Sequence, residues 1–380
     1  MLFFEKMKVG ILTYHFGTNY GGILQCYALC KSVERLGHSV CVINYCPIAN
    51  EGNETVASIR SLLRIVRRDG FRKMGFAIMI ALMRKKQKQE FDDFRFNYLK
   101  MGNLCTSLTD LAGECLRFDA LIVGSDQVWA PAHRSSGAYF FNFENIYNGL
   151  RIAYAPCCAV KNLGDDKENQ LLSSCLRRFS QLSVRNEETQ DFVKALTGIK
   201  APIVADPTIL ESFDTFRHSK KNGKDYILTY ILGEDINGGH ERVIEQIKNE
   251  YGNMPVYAVM PTNSTPRMHD WIDKALFDVS PAEWVDLIAR CKFLYTDSFH
   301  GVLFALKYHV PFLAYYAEQI RKSRFLSLKK TYALNNIISE SRALQSCTLS
   351  SLQPCFEEVD SIMSHQVVQS IQYLHNALIK

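Results

Sequence analysis

Four short polar turns carry the side chains in this sequence best suited to chemistry, and each meets an apolar run. In LYTDSFHGVLFAL (294–306), His300 stands where a strand-like run passes into a helix-like one. Free N–H groups at such a helix start favour an anion. An imidazole among them can give or take a proton beside that anion; the plainer role is a surface histidine at a helix start. In LIVGSDQVW (121–129), Asp126 is either a base for a hydroxyl or the N-cap of the next segment. In LSVRNEET (182–189), Arg185 can fork a phosphate or carboxylate, or pair with Glu187 and Glu188. The glycines of TYHFGTNYGGILQ (13–25) let the backbone approach a ligand closely.

The familiar cofactor motifs are missing. There is no G-x-G-x-x-G, no Walker A sequence, no H-E-x-x-H and no G-x-S-x-G. No acidic residue ends the second strand pattern to hold a ribose. His15 and His269 lack a second ligand at metal-site spacing, so neither a metal nor a cofactor is expected. The twelve cysteines contain no C-x-x-C; Cys26 and Cys30 are separated by three residues and Cys157 and Cys158 are adjacent. Cys41 and Cys291 fall inside apolar runs, as small buried hydrophobes do. Reduced thiols in a cytosolic protein are the expectation.

These turns need elements to hold them. Strand-like runs alternate with amphipathic helical patterns, which signals α/β architecture with parallel sheets. The first series is KVGILTY (8–14), SVCVINY (39–45), FDALIVG (118–124), RIAYAPC (151–157), QLSVR (181–185) and APIVAD (201–206), with a helix beginning near Gly22. After the Lys-rich stretch RHSKKNGKD (217–225) come YILTYIL (226–232), MPVYAVM (254–260), KFLYT (292–296) and VPFLAYY (310–316). Helices are expected over 241–251 and 281–290, the latter marked by Ser280, Pro281 and Glu283 as N-cap, N1 proline and capping-box acid. The economical reading is two Rossmann-like βαβ domains, 1–216 and 217–380, facing each other across a cleft.

The composition fits: 47% apolar and 22% charged residues can bury sizeable cores. A net charge of +5 suits a protein that handles anions and does not suggest a nucleic-acid binder. MLFFEKMKVG is no secretory signal, and GFAIMIALM (75–83) is too short to span a bilayer. A basic helical insertion, about 55–100, interrupts the rhythm: Ile59, Leu62, Leu63 and Val66 share a face beside Arg60, Arg64, Arg67 and Arg68. Either its basic face is simply solvated, or residues 59–88 dock on anionic lipid headgroups.

In order along the chain, NYGGILQCYAL (19–29), FDALIVGSDQVW (118–129), LSVRNEE (182–188), VADPTIL (204–210) and TDSFHGVLFAL (296–306) resemble the polysaccharide pyruvyl transferase family. The likeness covers about residues 8–345, with GSDQVW and DSFHG its most specific parts; KSRFLSL (322–328) looks like the family's Ser-Arg element. The resemblance implies a fold like that of GT-B glycosyltransferases. It implies transfer of the pyruvyl group of phosphoenolpyruvate to a pair of sugar hydroxyls as a cyclic ketal. The implied acceptor belongs to a capsular, exopolysaccharide or cell-wall glycan precursor, often lipid-linked, at the cytoplasmic face of the membrane. The family's histidine falls on His300 and its S-V-R arginine on Arg185. Ser298 stands where R-x-H-G members have arginine, so donor binding would lean on Arg185 and Arg324.

On that reading Arg185, Arg324 and the helix start at Ser298–Gly301 hold the trianionic donor, and His300 is the general acid. Asp126 is the candidate base, from the first domain; Asn19 and Gln127 are further candidates for substrate contact. The chemistry calls for no metal, because arginine and backbone donors can neutralise the leaving phosphate. The runner-up is a GT-B glycosyltransferase using a nucleotide sugar, with Glu318 as its ribose carboxylate. A non-catalytic glycan- or lipid-binding scaffold is the third reading.

Overall fold

The computed structural model describes residues 5–47, 71–143, 147–159, 163–218, 225–233, 239–261, 269–317, 319–334, 338–340 and 353–379. The apolar face at 59–66, most of the Lys-rich stretch and Glu318 lie outside the described residues.

Two parallel sheets form the framework. The first comprises β1 (Lys8–Leu12), β2 (Ser39–Val42), β3 (Ala120–Val123), β4 (Leu150–Ala153) and β5 (Gln181–Leu182), in the order β2-β1-β3-β4-β5. The second comprises β6 (Ile227–Tyr230), β7 (Val256–Val259), β8 (Lys274–Leu276), β9 (Phe293–Thr296), β10 (Phe312–Tyr316) and β11 (Ile338–Glu340), in the order β11-β10-β9-β6-β7-β8. Every pairing is parallel. Helices cover the faces, so β3, β6, β9 and β10 are buried along their whole length. Each sheet reverses its strand order once, between β1 and β3 and between β6 and β9. The crevice beyond such a reversal is where open α/β sheets bind ligands.

Most of the expected elements form. Asn19 caps a helix, Tyr20–Arg35, by accepting the Gly22 amide at 3.1 Å. Ser280 and Glu283 close the expected capping box on Pro281–Arg290. APIVAD does not become a strand. Pro202 has no N–H to donate, and Asp206–Pro207 opens a short helix, Pro207–Leu210. Only an isolated bridge, Val184 with Ile203, survives.

The inserted segment contributes a 28-residue helix, Phe71–Tyr98. It lies against the seam between the two halves. Tyr20, from the first half, stacks on Trp284 of the second with ring centroids 5.3 Å apart and planes 6° from parallel. The Tyr20 hydroxyl donates to the Val279 carbonyl at 2.7 Å and accepts from Gln87 of the inserted helix at 2.8 Å. Phe91 packs on the same ring. One apolar core therefore runs from Met7 through Tyr20 and Trp284 to Leu378. The C-terminal helix, Phe356–Ala377, also reaches the first half: Tyr373 donates to the Ala153 carbonyl and Ser370 accepts the Ala205 amide.

Candidate functional site

The loops after β3, β5 and β9 converge on one carboxylate that the sequence reading passed over, Asp206. It follows the failed strand and caps Pro207–Leu210, accepting the Thr208 amide and hydroxyl on Oδ1 at 3.0 and 2.8 Å. Its Oδ2 accepts from Ser125 Oγ at 3.2 Å and Arg185 Nη1 at 2.9 Å, and faces His300 Nε2 at 3.5 Å. Burial alone would raise the Asp206 carboxyl, but the charge and proximity of His300, then Arg185, hold it far below the usual carboxylate range. The signal for it was local: an acid before proline, ending an apolar run.

Arg185 does not pair with Glu187 or Glu188. It reaches Asp206 through Nη1 and Asp126 through Nη2, the latter at 3.6 Å, beyond hydrogen-bond length. Nη2 is buried with no hydrogen-bond partner. Burial works against its charge, yet Cys157, Asp206 and Asp126 together keep the guanidinium firmly protonated. Its plane lies over the Phe299 ring, 4.8 Å from the centroid.

His300 sits in the first turn of Phe299–Lys307, as expected, with Ser298 as N-cap accepting the Gly301 amide at 3.1 Å. The ring is buried against the start of the Tyr20–Arg35 helix. A Cβ added to Gly21 would lie 2.0 Å from Nδ1, so only glycine fits there. Nε2, buried with no hydrogen-bond partner, faces Asp206.

The helix start supplies fewer anion donors than expected. The Gly301 amide is used by Ser298 Oγ and the Ser298 amide by Thr296 Oγ1 at 3.0 Å, so both amides are spent within the turn. Asn19 is likewise committed to its cap. Gln127 differs: its side-chain nitrogen is buried and makes no hydrogen bond. Asp126 adopts φ 71°, the left-handed region, which turns the chain after β3.

Arg324 stands on the Gln319–Tyr332 helix, its guanidinium 6.0 Å from the Phe299 centroid, sharing that ring with Arg185. It makes no ion pair or hydrogen bond with any described residue, and its Nε is buried. Burial, then repulsion from Arg185, pulls its proton affinity down. A cavity of about 620 Å³ opens beside this pair, lined by Arg185, Asp206, Phe299 and Arg324 together with Glu187 and Asp191. His300 and Asp126 are not in its wall.

Asp297, also unremarked in the sequence, ties the second sheet's reversal together. Its carboxylate accepts the Leu232 and Gly233 amides at 2.6 and 2.7 Å, and Arg321 Nη1 at 2.8 Å. His15 is held through both ring nitrogens, by the Thr13 carbonyl and Asn44 Oδ1. Tyr14 contacts His133 Nε2, and burial raises the phenol and lowers the imidazole. Among the described residues no group of three His, Cys, Asp or Glu side chains could hold a metal ion.

Two parallel Rossmann-like sheets of reversed order, with buried arginines and a helix-start histidine between them, define a GT-B-type α/β architecture. Solved structures agree on the fold. Anabaena HepE with UDP and glucose aligns at TM-score 0.55 with 10% identity, covering 98% of this chain and 99% of that one. Arabidopsis UGT89C1 with UDP-L-rhamnose aligns at 0.51 with 10% identity over 98% and 99%. A Staphylococcus aureus MnaA–UDP structure aligns at 0.50 with 13% identity over 98% and 97%. No curated protein sequence matches the chain. The family model for polysaccharide pyruvyl transferase matches residues 19–318, and the chain belongs to that family.

Proposed function

We propose that this pyruvyl transferase takes its pyruvyl group from phosphoenolpyruvate and places it on two hydroxyls of a sugar as a ketal. The observation that supports this most is Arg324: a cation beside a second buried arginine, with no carboxylate in contact. Two adjacent guanidiniums around one ring cost free energy unless an anion joins them. The donor's phosphate and carboxylate are such anions, and arginine's fork matches both. The cavity falls within the roughly 300–1,000 Å³ of sites that bury drug-sized ligands, more than a three-carbon phosphate fills. The remaining volume, in a cavity that Glu187 and Asp191 also line, suits a hydroxyl-rich acceptor sugar.

In this mechanism the wall that separates His300 and Asp126 from the cavity opens locally as the donor binds, and His300 protonates the donor's methylene carbon, giving the methyl group and an oxocarbenium-like C2. One sugar hydroxyl attacks C2 as Asp126 takes its proton. The C2–O bond to phosphate then breaks, and the second hydroxyl closes the ketal. Of the two hydroxyl protons, one replaces that given by His300 and the other leaves with phosphate. General acid catalysis of this kind is worth roughly 10²–10⁴-fold.

The acceptor is a capsular, exopolysaccharide or cell-wall glycan precursor, reached in its lipid-linked form at the inner face of the membrane. No described helix is long and apolar enough to cross a bilayer. The Phe71–Tyr98 helix exposes Ile78, Met79 and Leu82 beside Lys85 and Lys86, a stripe suited to anionic headgroups.

The deciding experiment incubates the protein with phosphoenolpyruvate and panels of lipid-linked or nitrophenyl glycosides, followed by mass spectrometry. A mass gain of one pyruvyl ketal, lost in His300→Ala and Asp126→Asn, is expected. Titration with UDP-sugars runs alongside; tight UDP-sugar binding with no phosphoenolpyruvate turnover would replace this reading with glycosyl transfer.

A further inference from the structure

We infer that Asp206 is the positioning residue of this site, setting both the proton-bearing end of His300 and the fork of Arg185 through one oxygen. This rests on the reading of the reaction given above. The Nδ1 edge of the ring lies against Gly21. Its Nε2 faces Asp206 Oδ2 at 3.5 Å, inside ion-pair range and outside hydrogen-bond length. The contact fixes the ring against the carboxylate, and Nε2 is buried there without a hydrogen bond. The same Oδ2 takes Arg185 Nη1 at 2.9 Å and leaves Nη2 without a hydrogen bond. One carboxylate therefore positions both the imidazole and the guanidinium, whose Nε2 and Nη2 are buried without hydrogen bonds.

Asp206 is itself rigid. Oδ1 is anchored on Thr208 by two hydrogen bonds, and Ser125 fixes Oδ2 from the loop after β3. The groups facing the imidazole are Asp206 before Pro207–Leu210, Arg185 beyond that carboxylate, the Gly21 backbone, and Phe299 on its own helix.

The test is a double-mutant cycle with Asp206→Asn and His300→Gln, and Asp206→Glu as the variant that keeps the charge if asparagine impairs folding. Asp206→Asn is expected to lower kcat by about 10²-fold, the scale of a 1 Å misplacement, and to raise KM for phosphoenolpyruvate. Asp206→Glu recovers part of kcat. On the His300→Gln background, Asp206→Asn costs less than about threefold more. Fully additive losses, or Asp206→Glu no better than Asn at equal thermal stability, overturn the proposal.

A second readout needs no turnover: the His300 Cε1–H NMR signal, assigned by its disappearance in His300→Gln. It is expected to move in Asp206→Asn and Asp206→Glu, and an unmoved signal overturns the proposal. Absence of phosphoenolpyruvate turnover by the wild-type protein would sink the reaction assignment alone, leaving this signal to decide the role of Asp206.

Discussion

Gly21→Ala is the smallest change that should separate catalysis from folding. The added methyl would stand 2.0 Å from His300 Nδ1, 2.4 Å from Cγ and 2.6 Å from Cε1. Ordinary contact begins at 3.4 Å, so ring or helix must yield by about 1.4 Å. Two terms oppose each other in stability. Alanine in place of glycine in a helix gains at most about 1 kcal/mol, and less in the first turn. Overpacking a buried site costs about 1–3 kcal/mol. The clash wins, and the melting temperature should fall by a few degrees.

The effect on turnover is larger. A displaced ring loses its alignment on Asp206, and a 1 Å misplacement costs about 10²-fold. Gly22→Ala is the control in the same turn, because its Cβ would meet Asn19 and Tyr14 at 3.6–3.7 Å, ordinary contact. Calorimetry and a phosphate-release assay on both variants decide. Should Gly21→Ala match Gly22→Ala in kcat and melting temperature, the placement of His300 against that helix would be wrong.

Three further outcomes follow from the same geometry. Arg324→Met should raise the melting temperature, by removing a cation that Arg185 repels, while raising KM for phosphoenolpyruvate at least tenfold; a destabilised variant would refute the idea of a cation kept for a ligand. Burial lowers the Lys307 ammonium from 10.5 to about 8, although its Nζ donates to the Ile209 and Glu211 carbonyls. Between pH 8 and 10.5 the unfolded chain holds a proton that the folded chain has released, so stability relative to Lys307→Met should rise across that window in urea titrations, and a flat difference refutes it. The triple change Ile78→Ser, Leu82→Ser and Lys85→Glu should abolish co-sedimentation with phosphatidylserine vesicles while leaving turnover of a soluble acceptor intact. Equal sedimentation of variant and wild type removes the membrane stripe.

What could be read from the sequence was local. Ser280 announced its helix because capping chemistry lies within three residues of the start, whereas Asn19 and Ser298, read as ligand contacts, prove to cap theirs. The buried strands announced themselves by unbroken apolar runs. His300 and Arg185 were found because each sits in a turn after such a run. Their relation was not legible: Ser125, Arg185 and His300 meet only through Asp206, from three separate loops. Asp297 was overlooked as a spacer because its partners, Leu232 and Gly233, lie 65 and 64 residues away. Strands β8 and β11 were missed because three residues carry too little pattern. APIVAD misled in the opposite direction, its apolar content outweighing two prolines' worth of punctuation.

The Tyr20–Trp284 stack has a mechanical consequence. Many two-sheet transferases can part like jaws to admit their substrates, but here the pivot is filled by interlocked aromatic rings bolted to the inserted helix through Gln87. Parting the halves would wet that whole seam. Substrates should therefore enter without the halves parting, through the cavity lined by the exposed Glu187–Lys330 ion pair.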